Sequence, residues 1–320
     1  MKSHLLAALN LAAMVLGLQL AGAAEINLLS FGDWGDGNTP IQAATAHEMA
    51  AYTTNHHVRF DAALVLGDNF YHKMPGGVSD PRWQTEFELM FDAQALPMPF
   101  YAALGNHDYE EDKAPTELAY ARENPTSRWK MPAKYYRVEL PADHPLVSVL
   151  VLDSNVKQLG EAAWREELRW LEQELARPRP GVWTIAIAHH PLFSSGQHGD
   201  GKDLQDEWGP LFKKHLIDFY LCGHDHDLQH LQITGWPTTF VLAGGGGAKT
   251  RAMKREDRGP FSRPLNGFFH LKLTPELATG KFISSNDEVV HEFTRTPNGK
   301  IAVIHTTGRD HPGKDIGETK

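Results

Sequence analysis

The stretch Phe219-Tyr220-Leu221-Cys222-Gly223-His224-Asp225-His226 decides how the chain is read. Its apolar start has the character of a buried strand, and it breaks abruptly into polar, chemistry-bearing side chains. The same grammar recurs upstream. The apolar run 183–188 ends at His189-His190-Pro191, and the run 147–152 ends at Asp153. The run 100–104 leads into Gly105-Asn106-His107-Asp108, the run 62–66 into Gly67-Asp68-Asn69-Phe70-Tyr71, and the run 26–31 into Gly32-Asp33-Trp34-Gly35-Asp36. Helical patterns lie between several of these runs. Over 162–175, Trp164, Leu168, Leu171 and Leu175 recur at helical spacing, before the breaker Arg177-Pro178-Arg179-Pro180-Gly181. Strands alternating with helices indicate an α/β domain, whose ligand sites gather in the loops leaving the carboxyl ends of the strands.

Downstream of about residue 238 the pattern shortens to β-like runs at 239–242, 268–273, 281–283 and 289–293, read as closing strands of the same domain. A last strand is expected at 301–304, followed by a polar tail over 308–320. The start is different. Lys2, an apolar run over 5–20 and Ala21-Gly22-Ala23-Ala24 make residues 1–24 a signal peptide, too short and too small-residue-rich at its end for a membrane anchor. The expected organisation is therefore signal peptide 1–24, one domain over 25–295, and a C-terminal strand and tail over 296–320. The mature chain is expected to be exported, periplasmic or secreted, with no membrane span.

The 320 residues carry 31 Lys plus Arg against 40 Asp plus Glu, a formal net charge of -9. With no long Lys/Arg block, nucleic acid and anionic membranes are not the expected partners. The single cysteine, Cys222, excludes an intrachain disulfide. Histidine, at 18, is the compositional outlier.

Asp33, Asp68, Asn106, His189, His224 and His226 offer carboxylate, amide and imidazole donors without a thiolate. That set suits first-row metal ions doing chemistry rather than structural zinc. It is too large for one catalytic ion with an open position. It suffices for two ions roughly 3.5–4 Å apart sharing a carboxylate, the arrangement that clamps a phosphate and activates water. The class of reaction is metal-assisted hydrolysis of a phosphate ester. The glycine run Ala243-Gly244-Gly245-Gly246-Gly247-Ala248-Lys249-Thr250 lacks both glycines of a P-loop, which fall on Ala243 and Ala248, and reads as a tight turn near these loops.

In their order and spacing these blocks resemble the calcineurin-like metallophosphoesterases, and within them the purple acid phosphatases, particularly the small animal-type tartrate-resistant acid phosphatases. The likeness runs from Gly32 to His226 and, through the closing β-runs, to about Arg295. It implies a four-layer αββα sandwich, two mixed sheets flanked by helices. Most metallophosphoesterases carry a His two residues after the first Asp; here Gly35 stands there, and Tyr71 follows Asp68 by three, as in the purple enzymes. Carried over position by position, the resemblance implies that Asp33, Asp68, Tyr71 and His226 hold Fe(III). Asp68, Asn106, His189 and His224 would hold a divalent ion, Fe(II), Zn(II) or Mn(II), with Asp68 bridging. His190 occupies a position often aromatic in the family, so His189 is the preferred ligand.

His107 and His198 match the family's pair that binds the phosphate and protonates the departing alkoxide, with Asn106 also facing substrate. Gln197 stands where the animal enzymes carry an acid. Residues 153–162 are short and cysteine-free, so the animal disulfide and proteolytic activation are not expected. The implied activity is an acid phosphatase acting on phosphate monoesters, small molecules or phosphoproteins, as a monomer. Its nucleophile is a hydroxide on Fe(III) or between the ions, and its optimum is acidic. A phosphodiesterase or nucleotide hydrolase of the same superfamily, and a non-hydrolytic metal-, phosphate- or peroxide-handling protein, are the competing readings.

Overall fold

The structure, a computed structural model, describes residues 25–37, 39–255 and 258–307. The expected signal peptide and the tail from 308 onward lie outside the described residues.

The chain lays down β1 (Ile26–Phe31), β2 (Ala62–Val65), β3 (Phe100–Ala102) and β4 (Trp129–Lys130), all parallel neighbours in one sheet. It then builds a second sheet from β5 (Tyr136–Leu140), β6 (Val147–Val151), β7 (Trp183–Ile187), β8 (Phe219–Cys222), β9 (Leu228–Gln232), β10 (Thr239–Ala243) and β11 (Phe261–Arg263). Finally it returns to the first sheet through β12 (Gly267–Leu273), β13 (Ala278–Ser284), β14 (Val289–Arg295) and β15 (Ile301–Thr306). The strand orders are β15-β14-β13-β12-β1-β2-β3-β4 and β11-β9-β10-β8-β7-β6-β5. Both sheets are mixed: β12 runs antiparallel to β1, and β5 antiparallel to β6.

Period-two alternation decides which side chain goes where. Leu28, Leu64, Val149, Ile185 and Val241 point into a core between the sheets, joined by Phe269 and Phe282. Their sequence neighbours point outward into two helical layers. Leu29, Phe31 and Val65 meet α1 (Pro40–Asn55) and an aromatic cluster of Trp34, Phe87, Phe100 and Trp129. Leu150, Ala186 and Tyr220 meet α3 (Val156–Ala176) and α5 (Gly209–His215), through Trp164, Leu171, Trp208 and Phe212. The remaining helices are α2 (Lys113–Glu123) and α4 (Lys202–Glu207). The result is the expected four-layer αββα sandwich.

Two helix boundaries have local causes. Thr39 caps α1, its hydroxyl accepting the Gln42 N–H at 3.2 Å with Pro40 in the first turn. Helix α3 starts upstream of the apolar periodicity, because Gly160 at φ 74° joins a short N-terminal segment to the main helix. Among the described residues no helix is long and apolar enough to cross a membrane.

Candidate metal centre

The site forms where parallel strands of both sheets end side by side. Asp33, Asp68 and Asn106 leave β1, β2 and β3 of one sheet; His189, His224 and His226 leave β7 and β8 of the other. Asp33, Asp68 and His224 take left-handed backbone at φ 57°, 48° and 70°. Such conformations are costly for residues with a side chain, and they concentrate at functional sites. The glycines at these strand ends admit no Cβ. One on Gly105 would lie 2.2 Å from the Asp68 carboxylate, and one on Gly223 would lie 2.3 Å from that of Asp33. The glycine run is packed in the same way: Gly246 and Ala248 donate to the carbonyls of Gly32 and Asp33, and a Cβ on Gly244 would lie 2.7 Å from Asp33 Oδ2. It is a close-packed turn behind the site.

All seven residues expected to bind metal come together. The Tyr71 hydroxyl lies 3.3 Å from Asp33 Oδ1 and 3.1 Å from His226 Nε2, and His226 Nε2 is 3.5 Å from Asp33 Oδ1. His189 Nε2 faces Asn106 Oδ1 at 3.2 Å, His224 Nδ1 at 3.1 Å and Asp68 Oδ2 at 3.3 Å. Donor atoms of Asp33, Asp68 and His189 lie within 4.8 Å of one another, which joins the two groups. Two imidazoles are oriented from behind: His189 Nδ1 donates to Leu66 O and His226 Nδ1 to Lys249 O, both at 2.9 Å. That leaves each Nε2 lone pair aimed inward, as metal-binding histidines require.

The charge balance fits a cation. Asp33 and Asp68 are 0% and 2% exposed, and among the described residues neither has a Lys or Arg partner. Burial pushes the Asp33 carboxyl well up. Burial acts against ionisation of Asp68 as well, but His189 and His107 outweigh it and hold the group down, while His189 itself is raised by Asp68 and Asp33. Burial and the same two carboxylates drive the Tyr71 phenol far above its ordinary range. Bound cations would balance the two buried carboxylates and stabilise a phenolate.

Gly35 has a steric role that spacing alone does not reveal. A Cβ there would sit 1.7 Å from the Asn69 carbonyl oxygen, because the Asn69–Tyr71 backbone packs directly on it, with Tyr71 N–H donating to Gly35 O at 3.0 Å. Arg82 closes the assembly. It donates to Gly35 O at 3.1 Å and to the His72 carbonyl, and pairs with both carboxylate oxygens of Glu86 through Nε and Nη2.

The expected phosphate-facing pair flanks this cluster. His107 donates its backbone N–H to Asp68 Oδ1 at 2.9 Å, packs its ring at a tilt against Tyr71 with centroids 4.5 Å apart, and meets Glu110 through Nδ1 at 3.1 Å. His198 packs at a tilt against His224 with ring centroids 4.0 Å apart, and the Arg251 guanidinium contacts its Nε2. His190 is held through Nδ1 by Ser154 at 2.8 Å, yet its other edge reaches the His189–His224 group. Gln197 donates to the Ala252 carbonyl and is a tether between loops.

Sequence reasoning passed over several residues inside the very motifs it used. Asp108 Oδ1 accepts the N–H groups of Asn69 and Phe70 at 2.8 and 3.0 Å, and its Oδ2 accepts that of Gly105 at 2.7 Å. Asn69 in turn donates to Glu117 at 2.9 Å. Asp225 accepts His198 N–H at 2.9 Å and the Ser194 hydroxyl. Their only sequence signal was an acid placed within a Gly-rich strand end.

With this arrangement in view, residues 26–228 match the calcineurin-like phosphoesterase family. The chain belongs to that family. Within it, this phosphoesterase is 30% identical over 316 residues to tartrate-resistant acid phosphatase type 5 of Mus musculus, covering 85% of this chain and 94% of that one. It is 30% identical over 292 residues to the Homo sapiens protein of the same name, covering 83% and 86%. It is also 30% identical over 240 residues to purple acid phosphatase 17 of Arabidopsis thaliana, covering 69% and 68%. Among solved structures, its fold resembles GAP50, the anchor in the inner membrane complex of Plasmodium, with a TM-score of 0.71 at 22% identity over 88% of this chain and 90% of that one. It also resembles purple acid phosphatase PPD1 from yellow lupin, with a TM-score of 0.64 at 16% identity over 86% and 54%. The phosphoesterase is an enzyme of the acid phosphatase kind.

Proposed function

We propose that the protein is an exported, monomeric acid phosphatase that hydrolyses phosphate monoesters at a dinuclear Fe(III)–divalent centre, the divalent ion being Fe(II), Zn(II) or Mn(II). The observation that carries this reading is the Tyr71 hydroxyl lodged between Asp33 and His226, over a Gly35 that admits no side chain. A phenol in that position is a hard anionic donor suited to Fe(III). Asp33, Tyr71 and His226 would hold Fe(III), Asn106, His189 and His224 the divalent ion, and Asp68 both. The pair of ions, when bound, supplies an acidified water and the positive charge that clamps a phosphate.

The chain's own residues supply the rest. Asp33 and Asp68 set the spacing, and Leu66 O and Lys249 O fix the imidazole orientations. His107, oriented by Glu110, has Nε2 left for a phosphate oxygen and for the leaving group's proton. His198 accepts a hydrogen bond at Nε2 from Arg251, so its proton sits on Nδ1, and it serves to orient the phosphate. Proton donation is therefore assigned to His107. Residues 25–295 make the catalytic unit, to which β15 adds one edge strand by pairing with β14.

The test is a pH–rate profile with p-nitrophenyl phosphate, run beside bis(p-nitrophenyl) phosphate. Faster monoester hydrolysis with an acidic optimum supports the reading. A diester preference or an optimum well above neutrality contradicts it, the latter by removing the reason for Fe(III).

A further inference from the structure

Beside the preferred ligand His189 stands a second imidazole, His190, that is gripped from three directions. Its backbone N–H donates to Ser154 Oγ at 2.9 Å, and its carbonyl accepts the Tyr220 hydroxyl at 2.6 Å. Ser154 follows β6 and Tyr220 lies on β8, so both strands that flank β7 hold this one residue. The ring is held as well, with Nδ1 2.8 Å from Ser154 Oγ. Among the described residues, Nε2 has no hydrogen-bond partner.

Ser154 fixes the tautomer of that ring. Its side chain is 4% exposed, and its oxygen already accepts the His190 N–H. Among the described residues the hydroxyl proton has one acceptor in reach, His190 Nδ1. A buried hydroxyl turns its proton toward the acceptor available. Nδ1 therefore carries the lone pair and Nε2 the proton, the two ring nitrogens of a neutral imidazole having opposite roles. On its open side His190 is a donor. It has no lone pair there for a metal, so it does not extend the ligand set. The open side also has a target: a ring nitrogen of His190 lies within 4.8 Å of the donor atoms of His189 and His224. The ring meets His189 edge-on at 5.0 Å and lies 4.4 Å from His224, which has His198 as a further ring neighbour at 4.0 Å.

We propose that His190 is a further substrate-binding residue, donating its Nε2–H to an oxygen of the bound phosphate on the His189–His224 side of the site. This rests on the phosphatase reading above. The grip of Ser154 and Tyr220 orders the donor before substrate arrives, which lowers the entropy cost of the bond. The bond is made to the phosphate of ester and product alike, so it strengthens binding without favouring the transition state.

The experiment measures orthophosphate binding by calorimetry and p-nitrophenyl phosphate hydrolysis for metal-loaded wild type, His190→Phe, His190→Asn and His190→Gln, with metal content determined on each. Phe keeps the ring contacts, Asn keeps a polar group for Ser154, and Gln places an N–H near the position of Nε2. In His190→Phe and His190→Asn the dissociation constant for orthophosphate rises about tenfold, the scale of one hydrogen bond to a charged group. KM rises with it while kcat stays within about twofold, the signature of lost uniform binding. His190→Gln recovers part of the loss, and all four proteins hold the same metal. An unchanged dissociation constant in His190→Phe, or full recovery in His190→Asn, overturns the assignment, the latter by placing the effect at Ser154. Loss of the divalent ion from the variants overturns it too, by making His190 a ligand. A wild type that binds orthophosphate yet hydrolyses no monoester contradicts the phosphatase reading, while the binding comparison still decides the role of His190.

Discussion

Tyr71 and Gly35 depend on each other. The phenol reaches Asp33 and His226 only because Asn69 O rests where a side chain at 35 would stand. Gly35→Ala forces that oxygen away and is expected to cost about 3 kcal/mol or more, at the upper end of overpacking, with loss of iron. Thermal unfolding and metal analysis on the same sample check it; a variant of wild-type stability and iron content contradicts the packing account. Asp33, Asp68, Asn106, His189 and His224 were legible because each follows a buried strand and a small residue, where a polar side chain has no packing reason to stand, and Tyr71 and His226 follow two of them at short spacing. What favours His189 over His190 in the proposed ligand set is invisible in the sequence: the Leu66 carbonyl that turns the His189 lone pair inward. Asp108 was not legible as a working residue, because its partners are backbone N–H groups contributed by residues up to 39 positions away.

The loops act as clamped pairs. One Asp108 carboxylate ties the loop after β2 to the loop after β3, and these loops carry Asp68, Tyr71 and Asn106. Asp108→Ala is expected to leave three buried N–H donors unmet, lowering stability by about 2–4 kcal/mol and weakening metal retention. Denaturant titration and metal content during dialysis test this; unchanged metal retention would make Asp108 a folding residue alone. Among the elements themselves, the long apolar runs were read with their ends correct to a residue or two. Strands β4, β5, β9 and β11 were not read. Three of them are sheet edges, and β9 hides its burial behind polar side chains: Gln229 is 0% exposed because it bonds Ser194, Ser195 and Asp227.

The whole molecule has to survive acid if it works there, and its buried histidines oppose that. His270, beneath α1, is bonded to Tyr52 and Asn27, and burial lowers its pKa to about 3 from an ordinary 6.5. Between those values the unfolded chain binds a proton that the folded chain refuses, so stability rises with pH across the window and falls as pH drops from 6.5 toward 3. At pH 5 this one group costs about 2 kcal/mol relative to neutral pH. His270→Gln, measured by denaturant unfolding from pH 4 to 7, is expected to be less stable at pH 7 but to show a flatter acid limb; an equally steep limb would place the acid sensitivity elsewhere. Bound metal works in the opposite direction by neutralising Asp33 and Asp68. Chelation is expected to lower the thermal midpoint by roughly 10 °C, the equivalent of a few kcal/mol of lost binding. A midpoint indifferent to chelation would mean that the two carboxylates are balanced without a cation.

The most direct test of the account is the visible absorption spectrum of the purified protein beside that of Tyr71→Phe, with iron measured on both. The account predicts a purple, iron-containing wild type active in acid, and the loss of the band when the phenol is removed. A band that survives in Tyr71→Phe, or a colourless and iron-free wild type that still hydrolyses phosphate esters, would contradict it and return Tyr71 to an ordinary packing role.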